Sequence, residues 1–265
     1  MTRLGMVIDL ARCVGCGACA FACKAENNTR TRGNGQSFNW ADFVMHTEGS
    51  FPNVTHVVMP VLCNHCSEAP CITVCPGNPK KAGPGRPYKA LFKTPEGITL
   101  HDPELCVGCG DCQKKCPYSH EKLGPSSLEG DSYSVISLNA MDEETQPYWA
   151  DKGSAIPGGT ASAAETAVRA GARIPTMTPW QGRDVQPIRS DDVIEKCTFC
   201  YHRVLNGQPP ACVEVCPSQA RIFGDQDDPA SPIAQILRQQ KSFRLKEEAG
   251  TKPNVHYVGT YSART

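Results

Sequence analysis

Short apolar runs, cut off by turn residues or by cysteines, set the rhythm of this chain. Met6 to Leu10 and His56 to Leu62 read as strands, and so do Val135 to Leu138 and Ala220 to Phe223. Lys89 to Lys93 and Gly97 to His101 read as a hairpin turning at Pro95-Glu96-Gly97. Helical periodicity is scarcer. One short helix is expected around Ala161 to Ala170. Another starts at Ser231, with Pro232 in the favoured first helical position, and runs to about Lys241. An extended piece, Val255 to Tyr261, closes the pattern. The most apolar stretch, Val54 to Leu62, is broken by Thr55, His56 and Pro60 and falls far short of the roughly 20 residues of a membrane span.

These runs are too brief to fix a chain of 265 residues by themselves. The apolar fraction is 40%, aromatics are 7%, and there are 23 glycines and 22 prolines. That balance predicts a loop-rich architecture held by something other than a large apolar core. Lys+Arg and Asp+Glu number 27 each, so the formal charge is zero and a nucleic-acid partner is not expected. From Ala140 to Ser190 there is no cysteine, but there are five prolines, five glycines, Trp149 and Trp180. A connection this long is expected to be a docking arm, because two tryptophans are poor company for solvent. Ser119 to Ser134 is a second insert that could do the same work.

Sixteen cysteines, about 6% of the chain, are the candidate fixers. They form four groups of four with none left over. Cys13, Cys16, Cys19 and Cys23 read C-x2-C-x2-C-x3-C and are followed by Lys24. Cys63, Cys66, Cys71 and Cys75 have a middle gap of four residues, and Pro76 follows. Cys106, Cys109, Cys112 and Cys116 repeat the first spacing, with Pro117 next. Cys197, Cys200, Cys212 and Cys216 have a middle gap of eleven, then Pro217.

The spacing C-x2-C-x2-C-x3-C-P is that of bacterial two-cluster ferredoxins. A cubane offers four irons at the corners of a tetrahedron, and each iron takes one thiolate. Cysteines three residues apart on a tight turn can reach three irons of one cluster. Gly15, Gly17, Gly108 and Gly110 supply a permissive backbone with N–H groups open to the sulfurs. The fourth cysteine is expected to start a helical segment, point away and reach the neighbouring cluster. Four groups therefore hold four clusters, in an α+β fold of duplicated bacterial-ferredoxin-like modules that is loop-rich and cluster-stabilised. Zinc also takes four thiolates, and the fourth group alone fits it; consecutive C-x2-C steps crowd too many thiolates for one tetrahedral ion. Disulfides fit worse, since cysteines this close do not bridge comfortably.

Other residues beside the cysteines are candidates for a supporting role. His65 and His202 adjoin cluster cysteines, but every group already has four thiolates, so both are expected to donate hydrogen bonds rather than ligate. Lys24 and Lys196 could raise a cluster's potential by placing positive charge near it, or could be solvated lysines. Asn27-Asn28-Thr29 and Asn53-Val54-Thr55 match the glycosylation pattern by chance. No G-x-S-x-G, Walker A or H-E-x-x-H sequence occurs, so no catalytic site is expected in the chain itself.

Four groups in this order, the second and fourth modified as described, resemble the iron–sulfur (beta) subunits of the molybdopterin oxidoreductase complexes. That family includes electron-transfer subunits of formate dehydrogenases, nitrate reductases, and polysulfide, tetrathionate, dimethyl sulfoxide and arsenate reductases. The resemblance is clearest in Met6-Val7-Ile8-Asp9 with Cys13-Val14-Gly15-Cys16, and in Cys63-Asn64-His65-Cys66 with Ala69-Pro70-Cys71. Cys116-Pro117-Tyr118, Glu195-Lys196-Cys197-Thr198-Phe199-Cys200, Pro210-Ala211-Cys212 and Gly224-Asp225 extend it over nearly the whole chain. The compact length and the tail at Glu248-Ala249-Gly250-Thr251 look most like the respiratory arsenate reductase or polysulfide reductase type.

The resemblance, not the spacing, implies which groups share clusters. One cluster would take Cys13, Cys16, Cys19 and Cys216, and the next Cys23, Cys197, Cys200 and Cys212. A third would take Cys63, Cys66, Cys71 and Cys116, and the last Cys75, Cys106, Cys109 and Cys112. Some relatives lose a cysteine of the third group and hold a three-iron cluster there; this chain keeps all four, so four [4Fe-4S] clusters are expected. The implied modules are residues 1–54 with 190–225 and residues 55–139, followed in expectation by a docking insert at 140–189 and a tail at 226–265. The implied partner is a large molybdopterin catalytic subunit, which alone would carry that cofactor; a membrane quinone-reactive subunit or a cytochrome is a further partner the resemblance admits. A C-terminal anchoring helix found in many relatives is missing, and the Ser119 to Ser134 insert splits a connection that is usually compact. No apolar leader or twin-arginine pair precedes Cys13, so the chain is expected in the cytoplasm, or in the periplasm by export with its partner. The rival readings are the comparable subunit of a nickel–iron hydrogenase, a freestanding polyferredoxin, and a zinc-stabilised interaction protein.

Overall fold

The computed structural model describes residues 2–27, 29, 40–81, 83, 88–119, 134–139, 158–171 and 193–260. In chain order the elements begin with β1 (Leu4–Asp9), α1 (Ala18–Asn27), β2 (Ala41–Ser50), β3 (Asn53–Leu62) and α2 (Pro70–Val74). They continue with β4 (Leu91–Lys93), β5 (Thr99–His101), α3 (Asp111–Lys115), β6 (Ile136–Asn139), α4 (Ala163–Arg169) and β7 (Val193–Lys196). The last are α5 (Tyr201–Val204), α6 (Ala211–Glu214), β8 (Arg221–Asp225), α7 (Pro232–Gln239), β9 (Ser242–Phe243) and β10 (Val255–Val258). Helices and small sheets together make an α+β chain. Among the described residues, no helix is long and apolar enough to cross a membrane.

The largest sheet has the order β8-β1-β10-β9. Its centre is β1, whose Met6, Val7 and Ile8 are fully buried, as a strand covered on both faces requires. β8 pairs with it antiparallel, with Met6 opposite Phe223, while β10 pairs with it parallel, with Met6 opposite Val255. The tail thus supplies a strand beside the first strand of the chain. α7 lies over this sheet through Ile233, which packs with Val7 and Val258. Pro232 occupies the first turn of α7, where a missing N–H costs nothing.

Three strands had no counterpart in the apolar pattern: β2, β7 and the two-residue β9. β2 pairs with the whole of β3, from Ala41 opposite Leu62 to Ser50 opposite Asn53. Only the inner end of this hairpin is buried, at Pro60, Val61 and Leu62, while Asn53 to His56 stand in solvent, so half of its length carries no apolar signal. The module boundary expected at residues 54/55 falls inside β3. The second unexpected strand, β7, pairs antiparallel with β6, setting Ile136 opposite Lys196. That pairing joins the exit of the third cysteine group to the start of the fourth. The β4–β5 hairpin turns through Thr94 to Gly97, where Thr94 N–H donates to Ile98 O at 2.9 Å and Gly97 N–H to Thr94 O at 3.0 Å.

α4 begins with a capping box: Glu165 N–H donates to Ser162 Oγ at 3.2 Å, and Ser162 N–H donates to Glu165 Oε2 at 2.8 Å. Trp149 and Trp180 lie outside the described residues, as do residues 120–133 of the second insert.

Candidate metal centres

Cys13, Cys16 and Cys19 sit on the loop from β1 into the first turn of α1, and Cys216 follows α6; all four line one cavity of about 430 Å³, mouth included. The loop is pressed against the β2–β3 hairpin. Gly15 and Gly17 have φ of +67° and +75°, and a Cβ there would come within 3.0 Å of Val58 and 3.3 Å of Phe43. Only glycine fits such a loop on both counts. Cys23 lies one helical turn beyond Cys19 and is buried in a different company: the sulfurs acting on it are those of Cys200, Cys197 and Cys212. The first and fourth groups are therefore brought together in two sets of four. Asn27 spans the second set. Its Nδ2 donates to Cys23 Sγ at 3.5 Å and to Cys200 Sγ at 3.8 Å, and holds Cys23 O at 3.0 Å.

The second and third groups meet in the same manner, with α2 packed on α3. Cys75, Cys106, Cys109 and Cys112 line a cavity of about 300 Å³, mouth included, with Leu91 and Ile194 in its wall. Cys116 instead feels the sulfurs of Cys63 and Cys71, and Cys66 feels that of Cys63. The expectation that each fourth cysteine starts a helix is corrected. Cys75 and Cys116 are the residues that end α2 and α3, and Cys216 comes after α6. The proline behind each disfavours a helical conformation in the residue before it, so the helix ends as the cysteine is reached. After Cys23 stands Lys24, and there α1 continues to Asn27.

Burial pushes these thiols up: to about 11 for Cys66 and to about 12 for Cys71, Cys116 and Cys200, with neighbouring cysteine sulfurs adding to it. Cys23, Cys197, Cys212 and Cys112 are raised as well, for the same two reasons. At Cys216, burial acts upward too, but the backbone N–H groups of Arg221, Ala220 and Ser218 outweigh it and bring the thiol below its ordinary value. Packed sulfurs of this kind ionise together only against a strongly cationic core, which is what iron supplies. Single-ion coordination fits poorly: among the described residues no three His, Cys, Asp or Glu side chains converge closely enough for one metal ion. Buried donors without a protein partner also sit beside these cysteines, at Asn64 Nδ2, His65 Nε2 and Arg221 Nη2. Sulfide-rich clusters accept such hydrogen bonds, so the residues present fit the group.

Comparison with known proteins agrees with this chemistry. Residues 54–127 and 179–226 match a 4Fe-4S dicluster domain, and residues 4–25 match a 4Fe-4S binding domain. The chain is 40% identical to the arsenate respiratory reductase iron-sulfur subunit of Shewanella sp. strain ANA-3, over 99% of both chains. It is 32% identical to a putative dimethyl sulfoxide reductase iron-sulfur subunit of Halobacterium salinarum, covering 97% of this chain and 79% of that one. It is also 32% identical to one subunit of the tetrathionate reductase of Salmonella typhimurium, covering 97% and 72%. The chain belongs to the iron–sulfur subunits of respiratory reductase complexes.

Within this iron–sulfur subunit the residues beside the cysteines have definite surroundings. His65 is fully buried and stacks on Phe199 with ring centroids 3.7 Å apart. Thr99 N–H donates to its Nδ1 at 3.2 Å, which leaves the proton on Nε2; burial first, then the charges of Lys196 and Lys93, hold the ring well below its usual pKa and neutral. Lys196, 1% exposed, donates to Thr99 O and Cys197 O, both at 2.5 Å. It is therefore no solvated lysine, and its charge acts on Cys71 and Cys197. Lys24 is half-buried on α1. His202 points elsewhere than expected: its Nε2 pairs with Glu26 Oε1 at 2.8 Å, in a network in which Arg203 also holds Glu26 and Glu214. α5 turns that face of the chain toward the Glu26 side of α1, so the ring meets a carboxylate before it can meet a sulfur.

Three supporting residues carried no signal of their own in the sequence. Asn27 was hidden inside an apparent glycosylation motif; it is 2% exposed, as no glycan acceptor could be. Lys93 donates to the carbonyls of His65, Cys66 and Gly97 at 3.1, 2.5 and 2.9 Å, tying the second cysteine loop to β4. Arg221 is a strand residue whose guanidinium turns inward among sulfurs.

Proposed function

We propose that this iron–sulfur subunit relays single electrons through four [4Fe-4S] clusters between a molybdenum- or tungsten-pterin catalytic subunit and a quinone-linked or soluble redox partner. Bound clusters of this type supply one-electron chemistry over roughly −700 to +450 mV. The chain's own part is to ligate, space, shield and charge them. The observation that carries the reading is that Cys216 lines one cavity with Cys13, Cys16 and Cys19, and Cys75 lines another with Cys106, Cys109 and Cys112.

In this reading Cys13, Cys16, Cys19 and Cys216 hold the first cluster, and Cys23, Cys197, Cys200 and Cys212 the second. Cys63, Cys66, Cys71 and Cys116 hold the third, and Cys75, Cys106, Cys109 and Cys112 the fourth. Each pair of clusters makes one ferredoxin-like module, and β6 with β7 ties the modules together. Lys196 stands where the second and third sets approach, close to Cys197 and Cys71. The names of the relatives, each a subunit of a reductase, support a catalytic partner, and the absence of any hydrolase or nucleotide motif in this chain supports a non-catalytic role.

The test is anaerobic purification of the chain with whatever subunit accompanies it, followed by elemental analysis. Molybdenum or tungsten, with iron near four atoms per cysteine set in addition to the partner's own, is the expected result. Nickel in place of molybdenum would assign the chain to a hydrogenase, and zinc with little iron would end the electron-transfer reading. Cys109→Ala should cost or convert the fourth cluster and slow electron delivery while the partner's isolated half-reaction survives; an unchanged iron count and turnover would refute the ligand set.

A further inference from the structure

Arg221 opens β8 and is 4% exposed. A buried guanidinium cannot shed its proton, so it must be paired where it stands. Its Nη1 donates to Cys212 Sγ and to Met6 Sδ, each at 3.8 Å. Nη2 is buried and has no protein partner. The groups that act on it most strongly are Cys19, Cys212 and Tyr257. Burial works against the charge, but the two sulfurs overcome that and hold the group above its usual pKa. Arg221 also lines the cavity of Cys13, Cys16, Cys19 and Cys216. Arg221 thus borders the cavity of the first ligand set and touches Cys212 of the second.

We propose that Arg221 is a shared potential-setting cation: its guanidinium donates to Cys212, borders the cavity of Cys13, Cys16, Cys19 and Cys216, and raises the reduction potentials of two successive clusters together. The inference rests on the cluster reading above. A cluster gains negative charge when it is reduced, and a fixed positive charge with N–H···S bonds stabilises that state. Low local dielectric keeps the effect strong. Because the planar fork has donors on two nitrogens, one arginine can serve two sulfurs, which a lysine ammonium on a flexible stem does less well.

The experiment is a redox titration followed by electron paramagnetic resonance, on the full chain in its native complex. Signals of the first and second clusters are identified by the lines that change in Cys16→Ser and Cys200→Ser. Arg221→Gln, at full iron content, is expected to lower the reduced-to-oxidised ratio of both clusters at least tenfold at a fixed ambient potential, equivalent to about 59 mV for a one-electron couple. The third and fourth clusters should keep their potentials. Arg12→Gln removes the same charge from an exposed position nearby and should move nothing. Both potentials unmoved in Arg221→Gln, or only one moved, would overturn the inference. If that variant loads poorly, Arg221→Lys decides: at least one of the two signals should shift, and two unshifted signals overturn it. Full iron with unmoved potentials refutes only the role of Arg221, whereas a wild-type chain without iron refutes the cluster reading beneath it.

Discussion

The cysteines are legible in the sequence because one residue type carries the chemistry and its spacing carries the geometry. The residues around them are not, because their work depends on which sulfur the fold brings near. Arg221 stands between Ala220 and Ile222 in a strand, where alternation would send a polar side chain outward; only the approach of α1 and α6 makes its position an interior one. Asn27 is a similar case and gives a separate prediction. Its amide donates to the sulfurs of Cys23 and Cys200, from two different groups, that the cluster reading places on one cluster. Asn27→Leu keeps the volume and removes the donor. Losing hydrogen bonds of about 1 kcal/mol should lower the reduced-to-oxidised ratio of the second cluster by about fivefold at fixed potential, leaving the others as they were. Redox titration of that one signal checks it, and a shift in all four clusters instead would point to a general loosening of the fold.

At the level of elements, strands next to cysteine groups could be read from their apolar runs, but their partners could not. β7 has only Val193 and Ile194 as apolar residues before Lys196, although all four of its positions are buried. β2 was missed because its hairpin projects half its length into solvent. The helices follow a rule the spacing did not reveal. A proline after the last cysteine ends α2, α3 and α6, and the lysine at position 24 lets α1 run four residues past Cys23. Those extra residues carry Glu26, which anchors His202 and Arg203, and Asn27, which reaches Cys200. Lys24→Pro would make the first group conform to the other three in sequence while removing a helical hydrogen bond in mid-helix. The expected cost is about 3 kcal/mol, with Asn27 and Glu26 drawn away from the fourth group. Thermal unfolding should report a clear destabilisation and iron analysis a selective loss near four atoms; a variant as stable and as iron-rich as the wild type would show that the extension is dispensable.

Across the whole molecule, the cysteines are not attached to a core but form much of it. Cys23, Cys63, Cys71, Cys75, Cys112 and Cys116 share one buried cluster with Met6, Ile8, Leu62 and Leu91. A second, smaller cluster of Val7, Val258 and Ile233 lies on the other face of the main sheet, under α7, and contains no cysteine. The two faces should therefore respond differently when iron is removed. The cysteine face would be left with sulfur-lined cavities and with buried donors lacking partners, each unsatisfied donor costing about 1–3 kcal/mol. Metal binding and folding are coupled there as they are in other small metal-held domains. The sheet face keeps its own hydrogen-bonded ladder and apolar cover. Hydrogen exchange on protein stripped anaerobically with a chelator should show α2, α3 and the β4–β5 hairpin losing protection first. β1, β8, β10 and α7 should stay protected longest, as the last cooperative unit. Uniform loss of protection along the chain would mean that the sheet depends on the clusters as fully as the cysteine loops do, and that the molecule has a single core after all.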